Sequence, residues 1–181
     1  RFEHRKGIDV LFDALPSVLT AVPTATVDFV GPGGQDWFDN IVTNGSLSPW
    51  ADRLRHHGEV PPQTLEQHYA DCDVLVAPSR YESFGLIYLE AMAWAKPVIG
   101  TWAGGIPEVV THEENGLLAS PGDPISLTDA MISLAQSSDR RRRMGEAGRK
   151  SAEQRYSIKQ TVRGTLACMI DIMNPPPLPL I

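Results

Sequence analysis

The chain has 181 residues, of which 42% are hydrophobic and 21% charged, enough for one soluble domain with a sizeable core. A formal net charge of −6 gives no support to a nucleic-acid-binding role. No apolar run approaches the roughly 18–20 residues that a membrane-crossing helix needs.

The N-terminal residues do not read as a signal peptide. Cys72 and Cys168 stand at no metal or redox spacing, as expected of free thiols in a reducing compartment. The chain starts at Arg1 rather than Met, so it is expected to be a piece of something longer.

In chain order, residues 6–23 carry apolar side chains at Ile8, Leu11, Phe12, Leu15 and Leu19, a helical stripe. ATVDFVGPGG (25–34) is a β-rich run ending in a Gly/Pro turn, and DWFDNIVTNG (36–45) is a helix closed by Asn44-Gly45. RLRHHGEV (53–60) reads as a strand, PPQTLEQHYADC (61–72) as a helix entered through prolines, and DVLVAPS (73–79) as a buried strand. FGLIYLEAMAWA (84–95) is a helix, KPVIGT (96–101) a strand, GIPEVVTH (105–112) a short helix and NGLLAS (115–120) a turn and strand. Three helices follow, over 125–136, 139–156 and 157–173. Strands alternating with helices imply an α/β domain, with a parallel sheet covered on both faces. Domain bounds of 1–173 are expected, with a proline-rich extended tail at 174–181.

Ligands of open parallel sheets bind beyond the carboxyl ends of the strands. The loop after DVLVAP is such a place. It runs through Ser79, Arg80, Tyr81, Glu82, Ser83 and Phe84 to Gly85, where the next helix begins. The first amides of a helix lack internal partners and its dipole is positive there, so this point suits a phosphate. Gly85 allows a ligand to approach the backbone closely. Glu90 lies about one turn further, among Leu89, Ala91, Met92 and Ala93. A glutamate in such company is expected to be partly buried, and its carboxylate could hold two hydroxyls at once, such as those of a ribose. The plainer alternative is that it points to solvent or pairs with a nearby arginine.

Taken together, these motifs resemble the donor-binding, C-terminal half of retaining glycosyltransferases of the GT-B fold, family 4 or group 1. That group carries two glutamates separated by seven residues, as Glu82 and Glu90 are in ESFGLIYLE. RFEHRKG, GEVPPQTLEQHYADCDVLVAPSRYESFG and EAMAWAKPVIGTWAGGIPEVVTHEENGLLASPGD also match it in order and spacing, over roughly residues 1–160. The resemblance implies a Rossmann-like three-layer domain. It implies that Arg1 and Lys6 neutralise the donor diphosphate and stabilise the departing nucleotide, because negative charge accumulates there in the transition state. Glu90 would hold the ribose. Glu82 would contact the transferred hexose and stabilise positive charge at its anomeric carbon. The amides of Phe84 and Gly85 would meet the sugar, those of Leu86 and Ile87 the phosphates, and the loop at Glu59-Val60 the base. Family members react on one face of the sugar, the leaving phosphate taking the acceptor's proton, with retention and without a metal or other cofactor. The co-substrate would be a UDP- or GDP-linked sugar.

The resemblance also implies two missing parts. A strand ending in Gly precedes the arginine matching Arg1, so the sheet would lack a central member. An N-terminal acceptor-binding domain is absent from this chain, so the chain is expected to bind nucleotide and not to transfer sugar by itself. The protein would be cytoplasmic, reaching a membrane surface through that other domain. Two other readings are a different GT-B enzyme, such as a nucleotide-sugar epimerase or a phosphorylase, and a non-catalytic module for protein contacts. No lysine stands where a pyridoxal phosphate signature would need one, and an intact Glu82, Phe84-Gly85 and Glu90 disfavour the module.

The remaining motifs read as structure. GPGGQDW lacks the third glycine of a dinucleotide fingerprint, since Asp36 stands there. His56 and His57 would face opposite sides of a strand and cannot share a metal. Arg140 to Arg143 suit a solvated helix face. The Leu and Met of LACMIDIM (166–173) read as a core-facing stripe. GGIPEVV could cradle a phosphate or form a turn into a short helix; the resemblance implies that Gly104-Gly105 borders the donor pocket.

Overall fold

The computed structural model describes residues 2–43 and 45–173, without the side chains of Cys168, Ile170, Asp171 and Ile172. Arg1, the Asn44 of the predicted helix end, the Cys168 thiol and the tail 174–181 lie outside what is described.

A 3₁₀ turn at His4–Lys6 leads into α1 (Ile8–Ala21). Then come β1 (Val27–Val30), α2 (Gln35–Thr43), a 3₁₀ stretch at Ser48–Arg53, β2 (Leu54–Gly58), α3 (Pro62–Asp71), β3 (Leu75–Val76) and α4 (Leu86–Ala93). The second half contributes β4 (Val98–Thr101), α5 (Ile106–Val109), β5 (Gly116–Ala119), α6 (Pro124–Ala135), α7 (Ser138–Arg155) and α8 (Ile158–Met173). The predicted alternation therefore holds, and every pairing among the named strands is parallel. The described strands fall in two sheets, β1-β2 and β3-β4-β5, where the resemblance implied one sheet short of a central member. β3 is shorter than the predicted 73–79 and only half-buried. It pairs with β4 alone, so its ladder closes after two residues.

Alternation along the strands builds two cores, one on each face. Ile99, Leu117 and Ala119 pack with Leu15 and Leu19 of α1 and with Leu127 and Leu134 of α6. Val98 and Leu118, one position away, pack instead with Tyr69 of α3, Tyr88 and Met92 of α4, and Val109 of α5. The first core also takes in Phe29 of β1 and Leu54 of β2, so it joins the two sheets. Helix–sheet–helix layering of the Rossmann type is the result.

Two predicted surfaces differ. Arg140 and Arg141 of α7 are not simply solvated: Arg140 pairs with Glu113, and Arg141 donates to Leu134 O and Ala135 O at 2.8 Å, satisfying the carbonyl end of α6. Conversely, Leu166, Met169 and Met173 of α8 are 54%, 55% and 79% exposed, so the stripe read as core faces outward. The helix periodicity was real, but no described element lies against that stripe.

The N-terminal segment is fastened to the loop after β3. Arg80 N–H donates to Arg5 O at 2.8 Å, and the Arg80 guanidinium donates to His4 O and forks onto both Asp9 oxygens at 2.6 and 2.7 Å. Gly7 adopts φ +67°, and a Cβ there would collide with the carbonyl oxygen of Pro78. Only glycine meets both conditions.

Three stability outcomes follow from these contacts. Gly145 of α7 lies against the Ala95 carbonyl with no room for a Cβ, so Gly145→Ala should destabilise by about 1–3 kcal/mol despite its better helix propensity. Gly164 of α8 faces open space, so Gly164→Ala should stabilise by about 0.4–1 kcal/mol; denaturant titration of both variants checks the opposite signs. Hydrogen bonds from Arg80 hold the Asp9 carboxyl below its usual value. A depressed folded pKa gives stability that is present above the unfolded value of about 3.9 and lost as pH falls through the folded one. Asp9→Asn should therefore lower the melting temperature near neutral pH, with the gap to wild type closing in acid; a gap constant down to well below that value contradicts the assignment.

Candidate functional site

The candidate site lies at the carboxyl ends of β3 and β4. After β3 the chain is pinned by hydrogen bonds from Thr101 Oγ1 to Ser79 O at 2.5 Å and from Tyr88 Oη to Ala77 O at 2.7 Å. Gly104 and Gly105, in the loop after β4, press against the backbone of Glu82 and Ser83, leaving no space for a Cβ. Gly105 N–H donates to Glu82 O at 2.8 Å. The loop then turns at Gly85, with φ 89° and ψ 58°, and α4 starts at Leu86. The amides of Phe84 to Ile87 thus sit at the positive end of a helix dipole, before or within the first turn, where the helix itself supplies no acceptors.

Lys6 and Glu82 are brought together from opposite ends of the clamp. The Lys6 ammonium pairs directly with Glu82 Oε2, their side chains being 30% and 17% exposed. A cation and an anion are therefore paired beside the N-terminus of α4, the Glu82 side chain lying close to Gly85. The ring of Phe84 is exposed and meets Tyr156 edge-on at 5.9 Å. Leu86 and Ile87, 64% and 37% exposed, share the open face of α4.

Glu90 lies on that same open face. It is exposed, against the expectation of partial burial. The buried face of α4 is Tyr88, Ala91 and Met92, and a 3.6-residue period places Glu90 with Leu86, Ile87 and Ala93 on the other side. Nor is it an unpaired charge: Tyr69 Oη donates to Glu90 Oε2 at 2.6 Å. Tyr69 was not found by sequence reasoning. It stands on α3, 21 residues away, where no spacing rule links the two. Burial, and next the bond to Glu90, push the Tyr69 phenol well above its usual range, so it remains a donor.

Val60 lies two residues beyond β2, half-buried. The nearby cavity at the ends of β1 and β2 is lined by Gly33, Gly34, Gln35, Asp36, Trp37, His56 and Gly58. The ring of Phe2 lies against Gly34 and edge-on to His56 at 4.7 Å. The turn after β1, expected to be close-packed, is so only in part: Gly34 lies against the Phe2 ring, whereas Gly33 faces open space. Arg1, the other expected phosphate ligand, lies outside the described residues.

His56 and His57 do face opposite ways. His56 Nδ1 meets Gln35 Oε1 at 2.7 Å, whereas His57 Nε2 meets Asp28 at 2.6 Å and its ring lies 4.5 Å from that of His68. Among the described residues, no three His, Cys, Asp or Glu side chains are placed to hold a metal ion. Among them too, no helix is long and apolar enough to cross a membrane. Cys72 is a half-buried free thiol whose pKa is raised chiefly by burial.

Known proteins resemble this chain in sequence and fold. The chain is 41% identical over 173 residues to an N-acetyl-alpha-D-glucosaminyl L-malate synthase of Bacillus anthracis, covering 96% of this chain and 44% of that protein. It is 34% identical over 157 residues to a GDP-mannose-dependent alpha-(1-6)-phosphatidylinositol monomannoside mannosyltransferase of Mycobacterium tuberculosis, covering 83% of this chain and 40% of the relative. The crystal structure of HepE from Anabaena in complex with UDP and glucose superimposes with a TM-score of 0.77 at 29% identity, over 92% of this chain and 46% of the other. The chain thus spans less than half the length of each of these three proteins. The family described as glycosyl transferases group 1 matches residues 1–151, so the chain belongs to that family, with the GT-B architecture its structural neighbours carry.

Proposed function

We propose that this chain is the C-terminal, donor-binding half of a retaining, family 4 glycosyltransferase that transfers a hexose from a UDP- or GDP-linked donor without a metal. The observation that carries the reading is the Lys6–Glu82 pair beside the N-terminus of α4, with Glu90 on the exposed face of the same helix. A nucleotide-sugar is a linear string of base, ribose, diphosphate and hexose, and the site offers a matching string of groups. The cavity beside Val60 takes the base. Glu90 accepts hydrogen bonds from the ribose hydroxyls. Lys6, with Arg1, and the amides of Leu86 and Ile87 hold the diphosphate, and Glu82 with the amides of Phe84 and Gly85 holds the hexose.

Glycosidic bond cleavage leaves negative charge on the departing diphosphate and positive charge on the anomeric carbon. Lys6 and the helix dipole stabilise the first, and the Glu82 carboxylate the second. Glu82 and Glu90 stand eight positions apart, about 12 Å if measured along a helix. They grip different parts of one ligand rather than flanking one bond as hydrolase carboxylates do. The glycosyltransferase relatives and the UDP and glucose bound by HepE favour this reading over an epimerase, a phosphorylase or a contact module. The binding domain comprises 1–173, with 174–181 as an appended tail, and the other half of the protein supplies the acceptor site and any attachment to a cytoplasmic membrane surface.

Calorimetric titration with UDP, GDP and ADP tests this. One of the three should bind, and Lys6→Ala should weaken it by about tenfold or more, as loss of a hydrogen bond to a charged group implies. The chain alone should transfer no sugar; transfer by it to any acceptor contradicts the division of labour.

A further inference from the structure

Glutamate has three rotatable side-chain bonds, and a helical backbone disfavours only one of its χ1 rotamers, so on an exposed face several orientations of the carboxylate stay open. Holding two vicinal hydroxyls requires one orientation of the carboxylate plane. Tyr69 supplies that selection. Its ring is only 7% exposed and packs in the core with Tyr88, Ala91 and Met92, so its hydroxyl has little freedom. That hydroxyl donates to Glu90 Oε2 at 2.6 Å, a short bond to a charged acceptor. A carboxylate has about four lone-pair directions, so one bond from the core leaves Oε1 and the outward lobe of Oε2 for a ligand. The bond also spans α3 and α4, tying Glu90 to the helix on its flank.

We propose that Tyr69 is the positioning residue for Glu90, fixing its carboxylate for the vicinal hydroxyls of the donor ribose. The inference rests on the reading of Glu90 given above and names the partner on which that reading depends. Tyr69 itself touches no ligand; it acts through the carboxylate. Phenylalanine at this position keeps the ring in the core and removes only the donor, so the fold is retained.

The test is titration of the wild-type protein, Tyr69→Phe and Glu90→Ala with UDP and with 2′,3′-dideoxyuridine diphosphate, using the GDP or ADP pair if one of those is the bound base. Tyr69→Phe should weaken the ribonucleotide about three- to tenfold, the worth of one well-placed hydrogen bond. It should leave the dideoxy nucleotide unchanged, an outcome that a merely structural role for Tyr69 cannot give. Equal weakening of both nucleotides by Tyr69→Phe, or of neither, overturns the proposal while the Glu90 reading stands on the selectivity of Glu90→Ala. If Glu90→Ala does not discriminate between the two nucleotides, or if wild type binds none of them, the ribose reading itself fails and the proposal with it.

Discussion

The placement of Lys6 against Glu82 depends on how closely two backbone segments can approach the loop between β3 and α4. Gly7 lies on the Pro78 carbonyl, and Gly104 and Gly105 lie on Glu82 and Ser83. None of these glycines could carry a Cβ without moving the loop. The crowding places Lys6 against Glu82 and sets the entry angle of α4. Hydrogen bonds complete it from both sides, from Arg80 to the 4–9 segment and from Gly105 to Glu82. The candidate side chains are thereby carried on a loop fastened by hydrogen bonds on both sides.

Electrostatics then explains why this site tolerates concentrated charge. Lys6 and Glu82 neutralise each other directly, Asp9 answers Arg80, and Tyr69 answers Glu90. Each ionised group nearest the α4 N-terminus has a protein partner before any ligand arrives, which limits the penalty of holding it there. On the proposed reading, a diphosphate would compete for Lys6 and a sugar hydroxyl for Glu82, so binding would exchange partners rather than fill unmet needs.

Much of the fold was legible in the sequence because it rests on periodicity and turn chemistry. Ile8, Leu11, Leu15 and Leu19 marked α1, and the parallel alternation and the Gly85 helix start were where spacing put them. Three things were not legible, each for a physical reason. Glu90 looked buried because α4 is apolar on both faces, Leu86 and Ile87 outside and Tyr88, Ala91 and Met92 inside, so no polar stripe revealed which side met solvent. Tyr69 was missed because its bond to Glu90 joins two helices, and no local pattern encodes that contact. The outward stripe of α8 looked like core because periodicity reports amphipathicity, not what lies opposite. Local rules reached the elements; the long-range contacts that orient side chains needed the structure.

The most direct test of the central claim is a crystal structure of the protein soaked with UDP-glucose. The account predicts diphosphate density against the Leu86 and Ile87 amides with the Lys6 ammonium turned from Glu82 onto it, and the ribose within hydrogen-bonding distance of Glu90. Diphosphate density elsewhere on the molecule, with Lys6 still paired to Glu82, would contradict it.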